Sequence, residues 1–187
     1  MLVYLIRHGE SQSNFDKIWS GWNDVPLTEK GKNDAKKAGK YLDGIKFDKI
    51  YSSDLTRAKN TAEIAIPGCE YEQTPLLREI NVGDIVGKPF NSEEYNRIDT
   101  VLNGYGTYNG ESFDDMGCRI KQFMDIVSAT EYNKVACFTH AGVLRVFLDI
   151  TVGERLSRQN ILCKNCAIAI FECDNSVWKL HSWINLD

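Results

Sequence analysis

Short apolar runs alternate along this chain with stretches whose apolar residues recur every three or four positions. Val3 to Ile6 is such a run, and it predicts a first β-strand. Thr28 to Leu42 then places Ala35, Ala38, Gly39 and Leu42 at the i, i+3, i+4, i+7 spacing of one helix face. Lys49 to Ser52 forms a second short run. It is followed by a segment opening at Ser53 or Asp54 in which Leu55, Ala58, Ala62 and Ala65 share a helical face. Glu72 to Leu77 reads as a strand broken by Pro75, and the stretch from Gly83 to Gly110 is rich in Gly, Asn and Tyr. Only Glu93 to Ile98 is helical in pattern there, so about 80–110 reads as an irregular insertion. Ser112-x-x-Asp115 fits a capping box, and Phe113, Met116, Ile120, Phe123, Met124 and Val127 follow at helical spacing. Val135 to Thr139 is another strand, and Val143, Leu144, Phe147 and Leu148 predict the helix behind it. Ala167 to Phe171 and Val177 to Ile184 close the chain as strands.

Strands alternating with helices imply an α/β domain around a mostly parallel sheet, and such sheets bind ligands at the carboxyl ends of their strands. Arg7 and His8 follow the first strand, Ser53 and Arg57 the second, and His140 the strand ending at Thr139. Three strand exits therefore bring cationic or imidazole side chains to one edge. The helix start at His140 to Gly142 adds backbone N–H groups, so phosphate is the natural guest.

Composition narrows the picture. With 187 residues, 43% hydrophobic and 26% charged, the chain predicts one globular domain over 1–187. Its net charge of −4 is spread without basic blocks, which argues against nucleic acid and for a small partner. The opening apolar stretch is far shorter than the ~20 residues of a membrane span. Arg7 follows that stretch rather than preceding it, unlike a signal peptide, so a cytoplasmic protein with no membrane partner is expected. The six cysteines, at 69, 118, 137, 163, 166 and 173, are expected to be reduced thiols. Cys163-x-x-Cys166 has no second pair to complete a zinc set, and no metal or other cofactor is expected.

Of the three histidines, His181 alternates with tryptophans in the last strand and reads as structural or exposed. His8 and His140 instead stand beside Gly9 and Gly142 at strand exits. A neutral imidazole, with an ordinary pKa of about 6.5, can attack phosphorus where cations hold the oxygens. Arg7 and Arg57 can do so without metal.

These residues also carry a resemblance. Leu5-Ile6-Arg7-His8-Gly9-Glu10-Ser11 with Asn14 resembles the signature of the histidine phosphatase superfamily, the phosphoglycerate mutase-like family. Asp24-Val25-Pro26-Leu27-Thr28 with Gly31, Tyr51 to Ala58, Leu77-Arg78-Glu79, Gly110-Glu111-Ser112 with Arg119, and Thr139-His140-Ala141-Gly142-Val143 match the family's motifs in order. The resemblance covers roughly residues 1 to 172. It implies a three-layer α/β/α sandwich and a two-step phosphoryl transfer. His8 would be the nucleophile, Arg7, Arg57 and His140 the groups that bind and stabilise the phosphoryl oxygens, Asn14 a phosphate-pocket residue, and Glu79 the proton donor and acceptor. Backbone N–H groups near Gly9 and Gly142 are expected as lesser donors.

The chain departs from many relatives just past Glu79, where Gly83-Asp84-Ile85-Val86-Gly87 replaces a Gly-x-Trp-Glu-Gly type stretch. Between Ile80 and Gly110 two cations, Lys88 and Arg97, face four acids, Asp84, Glu93, Glu94 and Asp99. A substrate with several extra negative groups would be poorly matched there. Tyr95, Tyr105, Tyr108, Asn103 and Asn109 fit either a neutral ring or sugar or an ordinary polar loop. Trp19 and Trp22 fit either packing beneath the site or leaning into it, and core or lid packing is expected. The expected function is a metal-independent phosphatase of small phosphate monoesters, α-ribazole phosphate or a broad-specificity set among them. The alternatives are phosphoglycerate mutase-type transfer and a non-catalytic binding module.

Overall fold

Strand β1, Leu2–Arg7, lies inside a six-stranded sheet, and its interior residues Val3 to Ile6 are buried on both faces. Such two-sided burial is why it reads as a continuous apolar run rather than an alternation. A computed structural model describes residues 1–97, 100, 103–155 and 161–186. Ile98 and Asp99, at the end of the expected short helix and among the counted acids, lie outside the described residues, as does the Tyr95 side chain.

After β1 come α1 (Gln12–Asp16), α2 (Glu29–Leu42), β2 (Lys49–Ser53), α3 (Thr56–Ala65) and β3 (Glu72–Thr74). The second half carries α4 (Glu93–Asn96), α5 (Phe113–Ser128), β4 (Lys134–Thr139), α6 (Ala141–Val152), β5 (Ile168–Asp174) and β6 (Val177–Ile184). The strand order is β3-β2-β4-β1-β5-β6. The pairs β3–β2, β2–β4 and β4–β1 are parallel, whereas β5 runs antiparallel to both β1 and β6, making the sheet mixed with a parallel majority.

Helices cover both faces. On one, Ala35, Ala38 and Leu42 of α2 and Ala62 and Ala65 of α3 pack on Tyr4, Ile6, Ala136 and Phe138. On the other, Met116, Ile120 and Phe123 of α5 and Leu144 and Phe147 of α6 pack on Val3, Leu5, Val135 and Cys137. Alternate residues of β1 thus feed opposite cores, which is the period of two that a strand imposes. The result is an α/β/α sandwich.

Local chemistry sets the helix ends. Thr28 caps α2 by accepting from the Gly31 N–H at 3.0 Å, and Ser112 with Asp115 forms the expected capping box of α5. The α3 start differs from expectation, because Ser53 stays in β2 and Leu55 occupies the cap position without a side-chain acceptor. Asp24 supplies one from a distance, its Oδ1 accepting from the Thr56 N–H at 2.8 Å and its Oδ2 from the Thr56 hydroxyl at 2.6 Å. The strand expected to break at Pro75 does so: β3 ends at Thr74 and a single 3-10 turn, Pro75–Leu77, follows. Sequence periodicity had no means of finding α1, which is only 5 residues long. Among the described residues no helix is long and apolar enough to cross a membrane.

Candidate active site

The sheet's carboxyl edge opens into a cavity of about 390 Å³ whose charged lining is Arg7, Arg57, Arg145 and Glu79, with His8 and Asn14 beside them. Close backbone packing builds its floor. A Cβ at Gly9 would stand 2.2 Å from the Gly31 carbonyl oxygen, and one at Gly31 would stand 2.0 Å from that of Glu10. Only glycine at both positions lets the turn after β1 lie against α2.

His8 is 4% exposed, and its Nδ1 lies 2.7 Å from the Gly9 carbonyl oxygen. A carbonyl only accepts, so Nδ1 carries the proton and Nε2 keeps its lone pair. Burial, reinforced by the Arg57 and Arg7 charges, holds the His8 pKa well below the usual 6.5, and the Gly9 bond opposes this only in part. The imidazole is therefore neutral at physiological pH.

Arg57, in the first turn of α3, is 1% exposed and donates to the carbonyls of Gly21 at 2.7 Å and Asn23 at 3.1 Å. Burial lowers its pKa to about 10, against the pull of Glu79 and Asp24, so it stays charged. Arg7 donates to the Cys163 carbonyl at 2.6 Å, and burial lowers its pKa as well. His140, wholly buried, occupies the N-cap position of α6 without a side-chain capping bond, and its ring centroid lies 5.1 Å from that of His8. Its Nε2 lies 2.9 Å from Ser53 Oγ, which itself accepts from the Leu55 N–H at 3.3 Å. In the tautomer in which that hydroxyl donates to Nε2, His140 Nδ1 is an N–H donor. Burial and the Arg57 charge hold the His140 pKa well below its usual value too. Arg7 Nε, Arg57 Nε and His140 Nδ1 are all buried with no hydrogen-bond partner. Buried donors are rarely left in this state, and several around one imidazole mark a place for an anion.

Glu79 is held from both sides. Its Oε1 accepts from the Ile80 N–H at 2.9 Å and its Oε2 from the Gly142 N–H at 3.2 Å. A Cβ at residue 142 would come 2.0 Å from Glu79 Oε1, so Gly142 gives the carboxylate its room. The Glu79 backbone carbonyl accepts from Trp22 Nε1 at 2.7 Å and Arg119 Nη2 at 3.0 Å. Arg119 also grips Glu111 with two bonds, at 2.8 and 3.0 Å, and reaches the Leu76 carbonyl at 2.8 Å. The Gly110-Glu111-Ser112 and Arg119 motifs thus meet behind Glu79.

Two expectations need correction. The Gly9 N–H donates to Thr61 Oγ1 at 3.1 Å and the Gly142 N–H to Glu79, so neither points free at a ligand. Tyr105 does not face the cavity from a loose loop: it is 1% exposed, its N–H bonds the Glu111 carbonyl at 2.8 Å, and its ring sits 6.1 Å from Trp19. Asn109 is turned to Asp84 at 2.8 Å, and Asn103 is exposed. Trp19 packs edge-on to Phe90 at 4.8 Å and lines the cavity, whereas Trp22 is 37% exposed beneath the Arg78 guanidinium. Asn14 lines the cavity with its Oδ1 accepting from the Ser11 N–H at 3.3 Å and Asn165 Nδ2 at 3.1 Å. Sequence reasoning missed Arg145. Its signal was its place four residues after Ala141 on the helix that leaves His140. All six cysteines are free thiols, and among the described residues no group of three or more His, Cys, Asp or Glu is placed to hold a metal ion.

The pattern of the histidine phosphatase superfamily, branch 1, matches residues 3–186. The chain belongs to that superfamily. An Erwinia tasmaniensis protein provisionally named phosphoglycerate mutase GpmB is 30% identical over 193 residues, 97% of this chain and 89% of that protein. A solved structure from Escherichia coli K-12, provisionally described as an α-ribazole-5'-P phosphatase, superposes with a TM-score of 0.87 at 25% identity, covering 99% of this chain and 96% of the other. Bacillus stearothermophilus YhfR superposes with a TM-score of 0.83 at 30% identity, over 96% and 95% of the two chains.

Proposed function

We propose that this protein is a cytoplasmic, metal-independent phosphatase of small phosphate monoesters, working as one domain through a phosphohistidine at His8. The observation that carries the reading is the set of unpartnered buried donors, Arg7 Nε, Arg57 Nε and His140 Nδ1, around a neutral imidazole whose Nε2 lone pair is free.

His8 Nε2 attacks the phosphorus, and the bond from phosphorus to the ester oxygen breaks as the P–N bond forms. The Glu79 carboxyl passes its proton to the departing oxygen. In the second half-reaction the Glu79 carboxylate takes a proton from water, the water oxygen attacks phosphorus, and the P–N bond breaks to return neutral His8 and inorganic phosphate. Arg7, Arg57 and His140 carry the charge on the equatorial oxygens through both steps, with Asn14 at the pocket rim. Two preorganised guanidiniums supply the electrostatic stabilisation that other phosphoryl-transfer sites draw from divalent ions.

The leaving group faces an apolar wall of Ile18, Trp19, Ile80, Val82 and Phe90. That wall, with the likeness to the Escherichia coli protein, supports α-ribazole phosphate or a broader set of ring-bearing monoesters as substrate candidates. The likeness to GpmB favours a second reading, phosphoglycerate mutase-type transfer. Against it, Lys88 in the substrate-side segment is already engaged by Glu94, so it is not free to hold a second phosphate.

The test is phosphate release from a panel including α-ribazole phosphate, sugar phosphates and 3-phosphoglycerate, with EDTA present throughout. Release that survives EDTA supports the phosphatase. Release or isomerisation only with a bisphosphorylated primer makes it a mutase, and binding without turnover makes it a binding module.

A further inference from the structure

Three guanidiniums line the cavity, and the chemistry above uses two. Arg145, on the second turn of α6, is half-buried in the cavity wall, and its Nε is buried without a partner. Its hydrogen bond from Nη2 to the Ile161 carbonyl is stretched to 3.5 Å, and no carboxylate among the described residues lies within 4.0 Å of it. Helical side chains lean toward their own N-terminus, so a long side chain at 145 reaches back toward the His140 end, where the reaction would occur. Its charge acts on Arg7, whose pKa it helps to lower. A cation whose charge acts on another cation, with no carboxylate among the described residues within ion-pair distance, is costly to fold around. That cost is offset when a ligand brings the counter-charge.

The charge balance says how much counter-charge is needed. Arg7, Arg57 and Arg145 contribute three positive charges to the lining. Glu79 must be protonated when it acts as the acid, and a phosphate dianion then neutralises two of the three. One positive charge is left over in the same cavity that Trp19 and Phe90 line.

We propose that Arg145 is a specificity-determining residue forming a second anion subsite, which takes a single carboxylate on the leaving alcohol of the substrate. The inference rests on the phosphatase reading and narrows it: among small monoesters, those bearing one carboxylate are preferred. Lys88, the cation of the substrate-side segment already paired with Glu94, plays no part in it.

Phenyl phosphate and 3-carboxyphenyl phosphate form a matched pair of probes. Wild type is expected to favour the carboxylated ester in kcat/KM. Arg145→Leu should lower kcat/KM for both esters, but about tenfold or more further for the carboxylated one, the size of a lost charge-assisted hydrogen bond. Arg145→Lys should restore part of the preference. Equal loss on both esters, or no preference in wild type, overturns the subsite. Calorimetric titration of both esters into the His8→Ala protein keeps the two proposals apart. If neither ester is turned over by wild type but the carboxylated one still binds more tightly in an Arg145-dependent way, the phosphatase reading fails and the subsite stands. If turnover is present and the binding difference absent, the subsite fails alone.

Discussion

Arginines stand both behind Glu79 and beneath His8, in opposite surroundings. Behind Glu79, Arg119 makes four hydrogen bonds, two of them to the Glu111 carboxylate, and nearby Arg78 clasps Asp54 in the same two-pronged way at 2.8 and 2.5 Å. Beneath His8, Arg7 and Arg57 meet only backbone carbonyls and each keeps an unpartnered Nε. A guanidinium saturated by carboxylate and carbonyl is a structural clamp, and one left short of partners in a cavity is poised for a ligand. The same residue type thus does two jobs, and the count of its partners tells them apart.

The largest expected effect comes from removing the group both sets serve: His8→Ala should abolish turnover together with acid-labile phosphoenzyme, read by rapid quench, and near-normal turnover would sink the nucleophile assignment. Next, Arg57→Met should lower kcat by about 100-fold or more, the loss typical of a transition-state charge stabiliser. Its melting temperature should hold or rise, because a buried charge whose desolvation outweighs the pull of Glu79 and Asp24 has gone. Arg119→Met should behave the other way round. It leaves the largely buried Glu111 carboxylate without its charged partner and with only the Asn81 N–H, at a cost of about 3 kcal/mol in stability. Its kcat should fall by only about tenfold, through a displaced Glu79. If Arg57→Met destabilises more than Arg119→Met, the distinction between clamp and ligand site is wrong.

Acid should expose the same division. His8 and His140 are buried with pKa values well below 6.5, so below that pH the unfolded chain binds protons that the folded chain does not. Their contribution to stability is full above about pH 6.5 and is lost as pH falls from there toward the folded values. Urea midpoints should therefore drop between about pH 7.5 and about pH 5.5, and His140→Gln should flatten that slope. An unchanged slope would mean that His140 is not held neutral by the fold. The smallest effect belongs to Lys88→Ala. Its pair with Glu94 is partly exposed, so stability should change by less than about 1 kcal/mol. A larger loss would make that pair part of the cavity's framework.

Much of this was legible in the chain, for a local reason. Apolar residues at periods of two and 3.6 mark strands and helices because neighbouring side chains must share a face. Ser112 and Asp115 cap α5 within one turn. The convergence of Arg7, His8, Arg57 and His140 follows from strand exits in a parallel sheet, and the structure does place them around one cavity, His140 through its contact with His8.

What the sequence determined by itself was therefore the order of elements, the family and which side chains stand at the sheet's edge. Tertiary structure alone decided who partners whom. It turned β5 antiparallel, engaged the Gly9 and Gly142 N–H groups with Thr61 and Glu79, drew Tyr105 into the core against Trp19, and put Arg145 into the cavity wall. Each of these depends on residues far apart in the chain, whose hydrogen bonds and burial exist only once the layers have packed, and no periodicity within a dozen residues carries that information.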